Sequence, residues 1–521
     1  MAVSGTTIWE VRATGSTVNG GGYDPSIGTN DYSQQNSAQY SPTGMSGAAG
    51  NVVTYSSASA DMVGNVIQIT GGTNFTKDFF LITSVVVGVS FTCSTNSSGV
   101  AVIAGGTGSS GTGNIGGAYN FGSATVDPLF TKAPQAGNTV WIKSGSYAAG
   151  NAALGSSGAG TSTAPVTFSG YTSSRGDVCT GSNRPTIAQQ AVNWTFTTSS
   201  IVQNLIITGS GTNNITASGA NSKFINLLCI NTSTTANRAA ISVSGANSLL
   251  LNCEFICYRG NALSANSSNG QINVMGCYCH DSATGILIGD STSPMTIQDS
   301  IIADNVSNAI INNSAETGFL MITNCTLYGA ENKLGTGVSL TTGSTNIRLL
   351  DSIIYGFATG VSHADSGQLA SYDDYNNYYN NTTDNTNWTK GAHDIALNPQ
   401  FVNVAQLTGS SGVVSGSTLT VSSATGVVAN QDFVYIVSGT GATAGKYLIT
   451  NVAGTTLTLS SAPGGSGSNI VYQITTGHNF QVGNNMRNQG FPGTFPGGLT
   501  VGQQNIGAVQ SIPTLASTFC S

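Results

Sequence analysis

A repeat of about two dozen residues runs through the middle of the chain and limits what it can fold into. Each unit has an Asn, Asp or Gly before a short apolar strand, and these markers lie 22 to 27 residues apart. The markers are Asn204, Asn226, Asn252, Gly276, Asp299, Asn324 and Asp351. A unit this short cannot bury its own apolar face, so successive units must stack on one another. Because the units are β-rich, punctuated by Gly and Asn, and almost devoid of helical pattern, they predict an all-β solenoid.

Three of the markers are followed by a cysteine, namely Cys253, Cys277 and Cys325. Equivalent positions in successive units should form one inward column, with adjacent units about 4.8 Å apart. Buried free cysteines behave as small hydrophobic residues. The chain has nine cysteines, an odd number, and their spacings do not match a zinc pattern. We therefore predict buried thiols in preference to disulfides, and neither a metal nor another cofactor.

The composition favours a folded protein that does not bind nucleic acid. Hydrophobic residues make up 39% of the chain, whereas disordered chains have few β-branched or aromatic residues. The net charge of −7 argues against a phosphate-binding groove, because nucleic-acid binders concentrate Lys and Arg. No apolar run reaches the roughly 18–20 residues of a membrane span, and the first residues lack the pattern of a secretory signal. We expect synthesis in a cytoplasm and no membrane insertion.

A second internal repeat predicts two copies of a small β-module. Residues 80–85 match residues 447–452, and two further strands agree in the same order, so 48–100 corresponds to 412–475. Chance agreement among Ser/Thr-rich strands is the alternative. The predicted domains are an opening strand at 1–26, a first inserted module at 27–125, the solenoid at 126–406, a second inserted module at 407–475, and a final turn with a C-terminal tail at 476–521.

Two segments outside the repeat carry a resemblance to a known family. Gly137 to Tyr147 follows the pattern Gly-Asn-x-Val-x-Ile-x-x-Gly-x-Tyr, and residues 398–401 are Asn-Pro-Gln-Phe. With the repeat between them, these segments resemble the right-handed parallel β-helix of the pectate-lyase-like group. The resemblance covers roughly 1–26, 126–406 and 476–510. It implies a right-handed parallel β-helix with two inserted β-modules, but no single function, since this fold hosts lyases, hydrolases, adhesins and viral spikes.

The surface composition adds a second resemblance. A chain rich in Gly, Ser, Thr and Asn, poor in Lys, and with small β-modules inserted into a β-helix is similar to tailspikes and other virion surface proteins of tailed bacteriophages. This resemblance implies a homotrimer on the virion that contacts capsid or tail proteins and binds host-surface polysaccharide. Residues 1–125 would face the virion. Whether the protein belongs to the tail or decorates the head stays open.

Acidic residues that share a column are the candidates for chemistry. Asp281 and Asp304 each lie five residues after their marker, so they should stack on adjacent units near 5 Å apart. Glycosidases use carboxylate pairs that are about 5–5.5 Å apart in retaining enzymes and about 6.5–9.5 Å apart in inverting ones. Both residues are therefore catalytic candidates. The alternative is that they are solvated turn residues, because Asp favours turns.

Aromatic and polar residues near this pair and near the end of the solenoid are candidates for glycan binding. Sugar rings have apolar faces and hydroxyl rims, which suits aromatic side chains with polar neighbours. The candidates are Arg259, His280, Tyr328, Glu331 and Tyr355 in the repeat, and Tyr375, Tyr378 and Trp388 in the segment 371–394. For the second group the alternative is a packed cap, because solenoid ends need capping.

These features favour a bacteriophage virion surface protein that contacts host glycans. One alternative is a polysaccharide-degrading enzyme, a lyase or a glycosidase, that uses Asp281 and Asp304 on the flank of the β-helix. The other is a bacterial surface adhesin, against which the lack of an export signal argues. Depolymerisation of a polysaccharide by the purified protein would separate the first two.

Overall fold

The protein is described here by a computed structural model. The residues that it describes are 4–121, 134–148, 155–156, 160–189, 193–233, 235–266, 270–289, 293–313, 319–329, 333, 335–341, 346–365, 371–430, 432–486, 489–490, 492–494, 500–503 and 506–508. They form two compact units. The first unit comprises Met1–Thr232 and Ile241–Cys253, and the second comprises Ser233–Ala240 and Glu254–Ser521.

The predicted fold class is confirmed, because both units are built from a parallel β-solenoid and each contains one closed six-stranded antiparallel β-barrel. The solenoid has about nine turns, and 2% of the chain is helical. Each turn contributes one strand to each of three parallel sheets, here called A, B and C. Pairing is in register: Cys279 faces Ile302, and Ile302 faces Leu327.

The first unit holds the opening turns and the first barrel. Its sheet A contains Ile8–Ser16, Thr139–Lys143, Val166–Tyr171, Ser200–Gln203, Lys223–Ile225 and Ser248–Leu251, with Gly22–Tyr23 antiparallel to the first strand. Its sheet B contains Ser146–Ala148, Thr186–Ala188, Ile206–Gly209 and Leu228–Asn231. Its sheet C contains Gly155–Ser156, Trp194–Phe196 and Asn213–Ala217. The barrel strands are Met45–Gly50, Val52–Thr54, Val66–Thr73, Phe79–Val86, Ser90–Cys93 and Ile103–Ile115. Short 3-10 helices cover Ala60–Met62 and Gly181–Asn183. The residues of strand Ala239–Val243, also of sheet C, are divided between the two units.

The second unit continues the same pattern and holds the second barrel. Its sheet A contains Ile272–Met275, Met295–Gln298, Leu320–Thr323, Ile347–Leu350 and Tyr372–Asp374. Its sheet B contains Glu254–Cys257, Tyr278–His280, Ile301–Ala303, Thr326–Tyr328, Ile353–Tyr355 and Asn377–Tyr379. Its sheet C contains Asn261–Ala265, Thr284–Ile288, Asn308–Asn312, Thr336–Leu340, Thr359–His363 and Thr383–Thr386. The barrel strands are Asn403–Ser415, Thr418–Thr420, Phe433–Thr440, Gly445–Ala453, Thr456–Leu459 and Ser466–Asn479. A 3-10 helix at Asn484–Met486 and a hairpin of Pro492–Thr494 with Thr500–Gln503 follow.

The marker residues have a backbone reason for their identity. All seven lie at the bend between a strand of sheet A and the next strand of sheet B, with φ between 49° and 61°. This left-handed conformation is easy for Gly and tolerated by Asn and Asp, whose short polar side chains bond locally, but it is costly for other residues. The marker pattern in the sequence therefore indicates a left-handed bend in each of these seven turns.

The solenoid core is formed by side chains that stack in columns. In the second unit one column of sheet B is buried along its whole length and consists of Phe255, Cys279, Ile302, Leu327, Ile354 and Tyr378. A neighbouring column alternates thiols with hydroxyls. There the backbone N–H of Cys277 donates to Ser300 Oγ and that of Cys325 donates to Ser352 Oγ, each at 3.1 Å. The eight cysteines that the structure describes are all buried and unbridged, and Cys520 lies outside the described residues.

The two barrels share one topology. When the six strands of each barrel are numbered along the chain, their order around both barrels is 1-2-5-4-3-6. Their interiors are apolar and include Phe80 and Ile82 in the first barrel and Tyr447 and Ile449 in the second. In the described part of the chain, no helix has the length and hydrophobicity that crossing a membrane requires.

Candidate functional site

The two catalytic candidates lie at a second bend of the solenoid, between sheets B and C. Asp281 follows the strand Tyr278–His280, and Asp304 follows the paired strand Ile301–Ala303 one turn later. Their φ values are 53° and 54°, again in the left-handed region. The turn geometry therefore favours Asp at both positions for the same reason as at the markers. The structure brings these two residues to adjacent turns.

A lysine from the second barrel reaches both aspartates. Lys446, on the barrel strand Gly445–Ala453, forms an ion pair with Asp281 Oδ1, and its Nζ donates to the carbonyl oxygen of Asp304 at 2.5 Å. The side chains of Lys446 and Asp281 are each only 7% exposed. From the barrel strand Ser466–Asn479, the hydroxyl of Thr475 donates to Asp304 Oδ1 at 2.7 Å. The barrel therefore covers the aspartates and supplies their polar partners.

His280 extends this network toward the surface. Its Nδ1 lies 2.6 Å from Asp281 Oδ2 and its Nε2 lies 3.1 Å from Glu254 Oε1. The imidazole is buried and stacks on Tyr278, with ring centroids 3.7 Å apart. Burial alone would lower the pKa of His280, but its two carboxylate partners raise that pKa to about 9. His280 is therefore protonated at neutral pH.

The charge states favour a structural ion-pair network over proton transfer. Burial would raise the pKa of Asp281, but the charge of Lys446 and the bond to His280 hold that pKa well below its usual range. The general acid of a glycosidase must be a carboxyl group whose pKa is raised, so that it carries a proton. A general base must itself be unprotonated. Asp281 is ionised at neutral pH and therefore not suited to act as the general acid, and His280, predicted as a glycan-binding candidate, is protonated and buried. The opposite charges of Lys446 on the barrel and Asp281 on the solenoid instead attract the barrel to the flank of the solenoid.

A stack of tyrosines continues along the same flank. Tyr328 and Tyr355 are nearly parallel with ring centroids 5.1 Å apart, and Tyr355 stacks on Tyr379 at 5.9 Å. Phe401 and Phe480, which flank the barrel in sequence, pack edge-on against Tyr328. Tyr328 is buried and Tyr355 is half-buried. These two glycan-binding candidates are thus occupied by packing between the solenoid and the segments that lead into and out of the barrel.

The last turn encloses an aspartate. Asp373 Oδ2 accepts hydrogen bonds from the Tyr378 hydroxyl at 2.6 Å and the Trp388 indole at 2.5 Å, and Oδ1 accepts from Asn376. Burial, together with the charge of Asp394, raises the pKa of Asp373 to about 7. Tyr378 and Trp388 are buried, so these candidates hold the last turn together and present little surface to a glycan.

The remaining candidates are more accessible. Arg259 is exposed, and Tyr375 is half-buried and stacks on His393 with ring centroids 4.6 Å apart. Glu331 lies outside the described residues. Among the residues that the structure describes, no group of three or more His, Cys, Asp or Glu side chains is placed to hold a metal ion.

Sequence reasoning missed Lys446, and it did not single out Tyr372, whose side chain is exposed in the structure. Lys446 is 142 residues beyond Asp304, within an inserted module, and no feature of its own strand marks it as a partner of the solenoid. The match of residues 80–85 with 447–452 could have drawn attention to it, because it aligns Lys446 with the apolar Phe79. Tyr372 belongs to the segment 371–394, but its exposure depends on neighbours that the sequence does not identify.

Among the comparisons with known proteins, only the one with solved structures found similarity. No family model matches the sequence, and no curated protein matches it. Pectate lyase Pel9A is 14% identical, covers 52% of this chain and 75% of its own, and has a TM-score of 0.41. The tailspike protein gp49 from Pseudomonas phage LKA1 is 12% identical, covers 85% of this chain and 82% of its own, and has a TM-score of 0.23. The tailspike of E. coli bacteriophage HK620, as a double mutant, is 10% identical, covers 66% of this chain and 82% of its own, and has a TM-score of 0.25.

Proposed function

We propose that this protein is a surface protein of a bacteriophage virion that contacts host-surface glycans and assembles as a homotrimer. The observation that carries the proposal is the outward face of sheet A in the second unit. Two polar pairs lie there in register, Asn273 with Thr296 and Gln298 with Thr323, and Met321 and Leu350 take the next places in these two columns. Stacked amides and hydroxyls at a spacing of about 4.8 Å suit an extended chain of sugar hydroxyls.

Weak contacts of this kind gain strength by repetition. Each amide or hydroxyl exchanges a bond to water for a bond to sugar, so a single contact adds about 0.5–1.5 kcal/mol. Several contacts per chain and three chains per assembly would multiply the effective affinity without any deep pocket. The shared topology of the two barrels fits a chain that carries accessory modules on a rigid body. The composition and inserted modules that resemble phage surface proteins support the virion location.

Three measurements test this proposal. Electron microscopy of the native phage particle with antibody against the protein should label the tail or the head, and a particle without label would refute the virion location. Light scattering of the purified full chain should give three times the mass of the 52.7 kDa chain. Binding to intact host cells should disappear when their surface polysaccharide is removed, whereas unchanged binding would refute glycan contact.

A polysaccharide-degrading enzyme is the second candidate. The observation that favours it is a small pocket in the second unit, where Asp281 and Asp304 lie beside Lys446 and Tyr435. The pocket lining combines carboxylates with an ammonium group, the types of group that a lyase uses, and in this structure Lys446 and Asp281 pair with each other. Release of new reducing ends from a polysaccharide by the wild-type protein, and its loss in Asp281→Asn and Asp304→Asn with retained β-structure, would support this function. Absence of cleavage would remove it.

A further inference from the structure

One aromatic side chain differs from all others in the described part of the chain. Tyr372 is 45% exposed, whereas every other described Trp, Tyr and Phe is buried or half-buried. It lies in the strand Tyr372–Asp374 at the last turn of sheet A, and its ring points outward because the next residue, Asp373, points inward. A single exposed apolar side chain is normal on a protein surface, so the case for a binding site rests on the groups that surround the Tyr372 ring.

The Tyr372 ring is held in place by its neighbours. Its hydroxyl donates to Asp374 Oδ2 at 3.1 Å, and the same carboxylate lies 2.9 Å from Nδ1 of His393. The His393 side chain is 58% exposed, and its imidazole stacks on Tyr375 with 11° between the planes. A ring with a fixed orientation loses little conformational entropy when a ligand binds, which favours affinity.

A cation lies beside this ring. Arg348 is the in-register partner of Tyr372 on the adjacent strand, about 4.8 Å away along the stack. Its side chain is exposed, and its guanidinium carbon lies 5.3 Å from the ring centroid of Phe319. Within the described residues no carboxylate forms an ion pair with Arg348. Contact with the Phe319 ring limits the motion of the guanidinium, and the exposure of the side chain leaves N–H donors available to a ligand.

We propose that Arg348, Tyr372 and His393 form a binding site for an acidic polysaccharide. The apolar face of a sugar ring would stack on Tyr372, and the carboxylate of a uronic or other acidic sugar would accept paired hydrogen bonds from Arg348. The exposed imidazole edge of His393 would contact a hydroxyl of the same sugar. Guanidinium groups bind carboxylates in this bidentate geometry, and aromatic rings bind sugar faces. This inference rests on the proposed contact with host glycans and names its chemical class and its residues.

The test uses the full chain and an immobilised panel of acidic and neutral bacterial polysaccharides, each in its native form and after chemical reduction of its carboxyl groups. We expect binding to at least one acidic polysaccharide and loss of that binding after carboxyl reduction. Arg348→Ala and Tyr372→Ala should each weaken it at least about tenfold, as expected for a lost charge-assisted bond or aromatic contact. Tyr372→Phe, which keeps the ring, should weaken it by less than about threefold.

Lys223→Ala is the matched control, because it removes one exposed positive charge from another strand of sheet A. It should leave binding unchanged. If the variants at Arg348 and Tyr372 fold and bind as tightly as the wild type, or if the bound polysaccharides are neutral, this site is refuted while glycan contact survives. If no polysaccharide binds at all, the proposed function fails together with this inference.

Discussion

Replacing Lys446 by Met tests whether the second barrel is held to the solenoid by a buried ion pair. The substitution keeps most of the aliphatic stem and removes the charge, which leaves Asp281 ionised and enclosed. Breaking a buried pair by removing one partner costs about 3–5 kcal/mol, because the remaining charge is uncompensated. Protonated His280 stays 2.6 Å from Asp281 and compensates part of that charge, so we expect the lower end of this range, about 3 kcal/mol.

Hydrogen exchange followed by mass spectrometry measures this loss locally. A loss of about 3 kcal/mol should speed exchange by roughly 150-fold where exchange requires separation of the barrel from the solenoid. The peptides to follow are those that contain the barrel strand Gly445–Ala453 and the solenoid strand Tyr278–His280. Their protection depends on the interface, so both should exchange faster together. Peptides that contain the barrel strands Thr418–Thr420 and Thr456–Leu459 should change less.

Lys390→Met is the matched control for charge removal. Lys390 pairs with Asp384 at 2.9 Å, but the two side chains are 34% and 29% exposed. Exposed pairs contribute about 0–1 kcal/mol, so this variant should change exchange by less than about fivefold. The double variant Asp281→Asn with Lys446→Met should lose less than the sum of the single variants, since both charges leave together. If Lys446→Met has no larger effect than Lys390→Met, the barrel is not held by this pair.

Three further predictions concern pH, the bends and the core. Because the pKa of His280 is raised from 6.5 to about 9, its stabilising contribution is complete below pH 6.5 and should be lost as pH rises through 9. The free energy of unfolding, measured with denaturant, should therefore fall over this pH range, and His280→Gln should abolish that fall. Asn324→Ala should lower the free energy of unfolding by about 1–2 kcal/mol because Asn324 has a φ of 50°, whereas Asn324→Gly should lower it by less. Equal decreases for the two variants in denaturant unfolding would contradict the role of the left-handed bend. Ile302→Ala should destabilise by about 2–5 kcal/mol and Ile302→Val by about 0.5–1.5, because the side chain is fully buried in the sheet B column; thermal unfolding with equal shifts for both would refute tight packing there.

The fold was predictable because one backbone requirement recurs at seven successive turns, from Asn204 to Asp351. A left-handed bend favours Gly, Asn or Asp, and this preference repeats at the length of a turn, so it is visible without any partner. Tyr375, with a φ of 57°, is the exception at the equivalent bend of the last turn. The small β-modules were predictable for a similar reason, since two copies of one module repeat their strand sequences in order. A local backbone requirement of this kind can be read directly from the residues that satisfy it.

The candidate site was predictable in part. The equal offset of Asp281 and Asp304 from their markers places them on adjacent turns, and the structure brings them together. The sequence could not show that a barrel covers them, because the covering residues Lys446 and Thr475 lie more than 140 positions away in a separate module. Contacts between modules depend on how two folded surfaces pack, and no periodic pattern in a single sequence indicates that packing.

The two barrels show how one position can hold a module to a solenoid by different chemistry. In the first barrel Gln68 pairs with Phe79, and in the second the corresponding Tyr435 pairs with Lys446. Phe79 is buried and packs edge-on against Trp9 of the solenoid strand Ile8–Ser16, with ring centroids 5.7 Å apart.

Lys446 occupies the equivalent position and pairs with Asp281 of the solenoid. An aromatic contact contributes through buried area wherever apolar surface is available, whereas an ion pair requires an oppositely charged partner at one point. The ionic version therefore fixes the second barrel at the turn that carries Asp281 and disfavours every other turn. Exchanging the two side chains should consequently weaken both attachments, since each solenoid surface matches only its own barrel.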